Sequence, residues 1–280
     1  MSRGMSIHIG LNNVDPAQYG GWSGDLVACE FDAHDMAALA ESNGFTAATI
    51  LTTEAISDRV LDALGDAASE LSAGDTLLLT YSGHGGQIPD LNGDEPDRAD
   101  ETWVLYDRQV IDDELYAVYG RFAEGVRIAV ISDSCHSGSV TRAPAPFGLV
   151  DGPLGAIVQP DVGVRVRAMP AALAQRDFLR RQDTYTAAST KATPTEPDEI
   201  AACVMLISGC QDNQVSLDGM HNGLFTENLL TVWNGGAFRG SYESLHRRIL
   251  QRMPASQSPR LSVVGRPERD FVAVGPAFSR

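Results

Sequence analysis

The sequence predicts an α/β fold, a three-layer α/β/α sandwich around a mostly parallel central sheet. Short apolar runs alternate with helical patterns through the first two thirds of the chain, and strands alternating with helices build a parallel sheet covered on both faces. The run CVMLISGC reads as a strand buried on both sides. The chain has 280 residues, 43% of them hydrophobic, which is enough for one sizeable core.

Taken in order, SIHIGLN at 6–12 reads as a strand, DLVACEFDAHDMAALAESNG as a helix ending at Gly44, and FTAATIL at 45–51 as a second strand. A helix from Ser57 to Leu71 carries Val60, Leu61, Leu64 and Ala68 on one face, and DTLLLTYS is the next strand. An acidic loop, a hairpin around ETWVLYD and a helix from Asp112 to Tyr119 lead into the strand RIAVISDS. Between 139 and 199 the pattern fails, with recurrent prolines and with Arg165, Arg167, Arg180 and Arg181 among small and polar residues. This stretch reads as a long loop or insertion with one helix near 171–182. After CVMLISGC come two helices, LFTENLLTVWNGG and SYESLHRRILQRM, and a last strand is expected near FVAV. The whole of 1–280 is read as one domain.

The composition excludes several classes of protein. No uninterrupted apolar stretch reaches the roughly 18 residues of a membrane span, and MSRGMSIHIG lacks the apolar core of a secretory leader. A soluble, cytoplasmic protein is expected. Cys29, Cys135, Cys203 and Cys210 form no C-x-x-C pair and adjoin apolar runs, as reduced thiols do. A net charge of −16 opposes nonspecific binding to nucleic acid or anionic lipid.

Two strand ends carry the chemistry. DTLLLTYS runs into GHGG, which places His84 just past its carboxyl end, and RIAVISDS places Cys135 in the equivalent position. Ligands bind outside the carboxyl ends of parallel strands, so neighbouring strands would bring the two side chains together as a Cys-His dyad. A thiol is mostly protonated near neutral pH and needs an imidazole to take its proton. Glycines on both sides of His84 let a substrate backbone approach closely. The backbone NH groups of Gly85 and Cys135 are the natural donors to a tetrahedral oxyanion. The alternative is a structural cysteine and a histidine in a glycine turn.

YSGHGG at 81–86 and DSCHSGS at 133–139 resemble the His and Cys motifs of metacaspases, caspase-like cysteine peptidases. A caspase His stands about 50 residues before its Cys, and Cys135 follows His84 by a similar interval. SGCQDNQVS resembles a later strand and turn of the same family, whereas 139–199 and the last 40 or so residues match it loosely. The resemblance implies a caspase-like fold and cleavage after Arg or Lys through an acyl-enzyme. It also implies a basic P1 side chain held by two acids, one in a C-x-x-D motif and one just before the catalytic S-C-H. Those positions are Cys29, Asp32 and Asp133, and Ser82 is counted in the same pocket. Paired carboxylates suit a guanidinium because its donors bond them bidentately.

The resemblance also raises calcium, since calcium-dependent members use acids at positions that match Asp100, Asp112 and Asp113 here. At the fourth position stands Arg142, which supplies no ligand. A solvated acidic loop with Asp112 as a helix cap is the alternative. DLNGDEPDRADE tracks an EF-hand at Asp90, Asn92, Asp94 and Glu101, but Glu95 occupies the position that needs glycine. The chemistry itself requires no cofactor. Protein or peptide substrates with basic P1 residues are the expected partners, and a monomer is expected. Self-cleavage is expected in the irregular segment, with Arg142, Arg180, Arg181 and Lys191 as candidate sites. A catalytically silent scaffold or signalling module on the same fold is the rival reading.

Overall fold

A computed structural model of the chain describes residues 2–91, 99–135, 165–191, 199–211, 214 and 216–280. Its elements in order are β1 (Gly4–Gly10), α1 (Cys29–Ser42), β2 (Thr46–Leu51), α2 (Ser57–Glu70), β3 (Thr76–Ser82), β4 (Gly85–Pro89), β5 (Ala99–Val104), β6 (Gln109–Ile111), α3 (Asp112–Tyr119) and β7 (Arg127–Asp133). They continue with β8 (Arg165–Val166), α4 (Ala171–Arg180), α5 (Gln182–Lys191), β9 (Cys203–Ser208), β10 (Leu217–Asp218), α6 (Leu224–Trp233), α7 (Tyr242–Leu250) and β11 (Arg260–Gly265).

The main sheet runs β11-β9-β7-β3-β1-β2, parallel except for the edge strand β11, which pairs antiparallel with β9. Successive side chains of a strand point to opposite faces, and β3 divides its residues accordingly. Leu77 and Leu79 enter the core beneath α2 and α3 with Val60, Leu64, Leu115 and Tyr119. Leu78 enters the opposite core with Met36 and Leu39 of α1, Phe225 and Leu229 of α6, and Leu245 of α7. These are the three layers of an α/β/α sandwich. A second small sheet, β4-β5-β6, follows directly from the end of β3.

Three stretches differ from the sequence reading. FVAV is part of a tight helical turn, Asp270–Val274, and the last strand is instead Arg260–Gly265. A four-residue apolar run carries no decisive period, and here Phe271 and Val272 bury together against the α7 side of the sheet. The first helix begins at Cys29, because the amides of Val27 and Ala28 donate to Asp218 instead of opening a helical turn. Residues 171–191 form two helices, α4 and α5, locked where Phe178 stacks on Tyr185 and the Tyr185 hydroxyl donates to Asp177 at 2.6 Å. No helix among the described residues is long and apolar enough to cross a membrane.

Candidate active site

β3 and β7 are parallel neighbours with Ser82 paired to Asp133, so His84 and Cys135 each stand two residues beyond the same register. The apolar strand interiors hold the strands side by side, and the polar residues after them meet at the carboxyl edge. The two backbones approach so closely that a Cβ on Gly85 would lie 2.0 Å from the Cys135 carbonyl oxygen. Glycine there is a requirement of contact.

His84 is held from three sides. Its Nε2 lies 2.8 Å from the Gly24 carbonyl oxygen; a carbonyl only accepts, so Nε2 carries the hydrogen and Nδ1 keeps the lone pair. The Trp22 ring packs on the imidazole with centroids 4.9 Å apart, and the Tyr81 hydroxyl donates to the His84 carbonyl at 2.7 Å. Nδ1 is buried and completes no hydrogen bond. Burial lowers the imidazole pKa to about 4, against the opposing hydrogen bond to Gly24. His84 is therefore neutral at physiological pH.

Cys135 is fully buried. Its Sγ accepts from the Ser216 amide and makes no hydrogen bond to His84. Burial raises the thiol pKa well above its ordinary value, the neighbouring Cys210 raises it further, and the Ser216 amide pulls it back in part. Cys135 is thus a thiol while the site is covered.

The covering chain is residues 165–169. β8 pairs antiparallel with β10, Val166 against Leu217 and Arg165 against Asp218. The Arg167 amide donates to the Ser216 carbonyl at 3.0 Å. On the other side Ala168 bridges Gly85 in parallel fashion, and the Met169 amide donates to the Gly85 carbonyl at 2.7 Å. Between these two clamps the Arg167 carbonyl oxygen accepts from the Gly85 and Cys135 amides, both at 3.1 Å. Those are the two amides expected from the sequence as oxyanion donors.

The Arg167 side chain is fully buried in an acidic pocket. Nη2 reaches Asp32 at 2.7 Å and Asp218 at 2.9 Å, and Nη1 reaches Asp133 at 3.0 Å and Ser82 Oγ at 2.8 Å. The acids are braced in turn. The Gly223 amide donates to Asp32, and the Thr226 amide and hydroxyl donate to Asp133. The amino end of α6 thus supplies otherwise unpaired donors to the pocket carboxylates. Ser216 Oγ donates to Asp133 at 2.5 Å and itself accepts from Gln257 at 2.8 Å.

Burial raises the Asp32 pKa to about 6, the Arg167 charge opposes this, and Asp133 adds to it. Burial alone would lower the Arg167 pKa, but Asp133, Cys29, Asp32 and Asp218 outweigh it and leave the group held as a cation. Three carboxylates around one guanidinium need a buried cation to be stable.

The structure therefore brings Asp32, Asp133 and Ser82 of the expected pocket onto one guanidinium, with Cys29 fully buried beside it at the start of α1. Sequence reading missed Asp218 and Arg167 itself. Asp218 lies in a two-residue strand whose pairing only the fold creates.

The calcium positions behave differently. Asp112 accepts from the Asp113 amide, and Asp113 accepts from Ser189 at 2.8 Å. Among the described residues no three His, Cys, Asp or Glu side chains converge to hold a metal ion. Asn92, Asp94, Glu95 and Arg142, the other positions on which the calcium readings turn, lie outside the described residues.

Fold and site together define a caspase-like protein: a mostly parallel sheet with a histidine and a cysteine at adjoining strand ends above an acidic pocket. The family profile described as the caspase domain matches residues 9–269, so the chain belongs to that family of cysteine-type peptidases and is metacaspase-like within it. Metacaspase-1 of Schizosaccharomyces pombe is 31% identical over 227 residues, 72% of this chain and 52% of that protein. Metacaspase-1 of Kluyveromyces lactis is 28% identical over 295 residues, 93% of this chain and 66% of that protein. The chain spans about half the length of the first of these relatives. The crystal structure of protein GSU0716 from Geobacter sulfurreducens superposes with a TM-score of 0.86 at 45% identity, covering 99% of this chain and 98% of that one. Caspase-1 from Spodoptera frugiperda shares the fold at 10% identity and a TM-score of 0.54, over 98% of this chain and 90% of that one.

Proposed function

We propose that this protein is a cysteine endopeptidase that hydrolyses peptide bonds after Arg or Lys, with Cys135 as nucleophile and His84 as base. The observation that carries the proposal is an arginine side chain among three acids while its own carbonyl oxygen sits between the Gly85 and Cys135 amides. A bound substrate has to satisfy both conditions at once. An Asp or Glu side chain in this pocket would meet Asp32, Asp133 and Asp218, a like-charge arrangement that repels it.

In this reading a P1 arginine fixes the scissile carbonyl over Cys135. His84 Nδ1 removes the thiol proton, and Sγ attacks the carbonyl carbon. The two amides hold the oxyanion, and such a donor is worth roughly 10²–10³ in rate. His84 returns the proton to the departing amine, and water then hydrolyses the thioester. Gly24, Trp22 and Tyr81 act by orienting the imidazole.

The test is hydrolysis of fluorogenic peptides with Arg, Lys, Asp or Leu at P1. Wild type and Arg167→Gln, whose pocket lacks the internal guanidinium, are assayed beside Cys135→Ala. Cleavage after Arg and Lys that vanishes in Cys135→Ala is expected. Equal cleavage after Leu, or activity surviving in Cys135→Ala, would sink the proposal.

A further inference from the structure

Ser216 touches each working part of the site. Its amide donates to Cys135 Sγ, its carbonyl accepts from the Arg167 amide at 3.0 Å, and its hydroxyl donates to Asp133 at 2.5 Å. These are the nucleophile, the backbone of the residue whose side chain fills the pocket, and one acid of that pocket. Behind Ser216 stands Gln257, fully buried in the turn between α7 and β11. Three hydrogen bonds of its side chain go to the loop that carries Ser216. Nε2 donates to the Gly209 carbonyl at 3.1 Å and to Ser216 Oγ at 2.8 Å, and Oε1 accepts from the Leu217 amide at 3.3 Å. The loop returns the grip, since Gln214 donates to the Ala255 carbonyl at 3.1 Å and accepts from the Ser258 amide at 2.5 Å.

These bonds have one direction. A backbone amide only donates and a backbone carbonyl only accepts, so Leu217 and Gly209 fix which end of the Gln257 side chain is oxygen and which is NH2. Ser216 Oγ faces the NH2 and must accept from it. A hydroxyl has a single hydrogen to give, and here it goes to Asp133. Without the Gln257 NH2 the Gly209 carbonyl loses its donor, and the Ser216 hydroxyl is free to turn away from Asp133.

We infer that Gln257 is a positioning residue for the P1 pocket: by aiming the Ser216 hydroxyl at Asp133 it sets the geometry in which Asp133 receives a P1 guanidinium. The inference rests on the peptidase reading above and adds a residue that touches neither substrate nor nucleophile. Losing one neutral hydrogen bond of this kind weakens the hold on Arg at P1 roughly 3- to 10-fold. Arg167 makes its pocket contacts with its peptide bond intact, so they belong to the ground state as well as the transition state. The loss therefore falls on KM and leaves kcat nearly unchanged.

The experiment uses the full chain with Arg167→Gln as parent, and adds Gln257→Leu, Gln257→Glu and Ser216→Ala to it. Gln257→Glu keeps the shape and the bond from Leu217, but its second carboxylate oxygen cannot donate, so the Ser216 hydroxyl turns its hydrogen to residue 257. Each variant is expected to raise KM for an Arg peptide roughly 3- to 10-fold with kcat within about twofold of the parent. Inhibition by agmatine, a guanidine that fills the pocket without pairing with β10, should weaken by a similar factor. Ser216→Ala removes the hydroxyl through which Gln257 acts, so adding Gln257→Leu to it should cost no more than about a further twofold. A glutamine that only supports the fold predicts losses that multiply, losses confined to kcat, or unchanged agmatine inhibition, and any of these overturns the inference. Thermal unfolding checks each protein, and if Gln257→Leu does not fold, the same cycle run with Gln257→Glu and Ser216→Ala decides. An active parent with losses that multiply overturns this inference alone. A parent that cleaves no Arg peptide overturns the peptidase reading and this inference with it.

Discussion

Replacing Asp218 with Asn tests the acid that the fold adds to the pocket. Asp218 Oδ1 receives Arg167 Nε at 3.3 Å and Nη2 at 2.9 Å, while its Oδ2 accepts from the Val27 amide at 2.7 Å. Asn cannot serve both partners: one orientation turns an NH2 toward the guanidinium, the other turns it toward the Val27 amide. A charge-assisted hydrogen bond contributes about 1.5–3 kcal/mol. Part of that is offset here, because neutralising Asp218 relieves its repulsion with Asp32 and Asp133. The lower end, about 1.5–2 kcal/mol, corresponds to a 10- to 30-fold loss in kcat/KM for Arg at P1. Lysine has no Nε donor at that depth and should lose only about threefold, so the Arg-to-Lys preference narrows. The assay compares Arg, Lys and Leu peptides in the Arg167→Gln background, where the pocket starts empty, with thermal unfolding as a control for the start of α1. Equal losses on all three peptides, or an unchanged Arg value, would refute the reasoning.

Three further outcomes are expected. Gly85→Ala places a Cβ 2.0 Å from the Cys135 carbonyl oxygen, which must spread the two oxyanion amides and cost roughly 10²–10³ in kcat, read by single-turnover hydrolysis. Because the Arg167 charge opposes the rise of the Asp32 pKa, which stands at about 6 with arginine in place, the empty pocket holds Asp32 higher still. The KM for Arg peptides should therefore rise as pH falls toward 6 and level off below it, and Asp32→Asn should abolish that dependence. His8 is buried in β1, bonded through Nδ1 to Thr80 with Nε2 unpartnered, and burial lowers its pKa from 6.5 to about 3. The unfolded chain binds the proton first, so the contribution is full above pH 6.5 and is lost as pH falls toward 3. The loss should amount to about 2 kcal/mol by pH 5. Urea unfolding at pH 7 and pH 5 should show a smaller acid loss for His8→Gln than for wild type, and equal losses would remove His8 from the account.

The parallel sheet and the placement of His84 and Cys135 at its edge were legible in the sequence, because they rest on local signals. Apolar runs of strand length recur with helices between them, and glycines follow the strands where polar residues begin. Asp32 and Asp133 could be read as a pair only through the family resemblance, since one lies in a helix and the other at a strand end. FVAV and the 171–191 region were misjudged for the opposite reason: their local patterns were short, and burial against α7 or between α4 and α5 decided their form. Arg167 looked like one basic residue among several in an irregular stretch. Its role depends on contacts with Asp32, Ser82, Asp133, Ser216 and Asp218, residues scattered through the chain, and no local preference encodes such contacts. What the sequence by itself determined was the chemistry available at the sheet edge. Only the tertiary structure decided which arginine lies in the pocket and which bond crosses the site, because a buried charge goes where distant carboxylates converge to hold it.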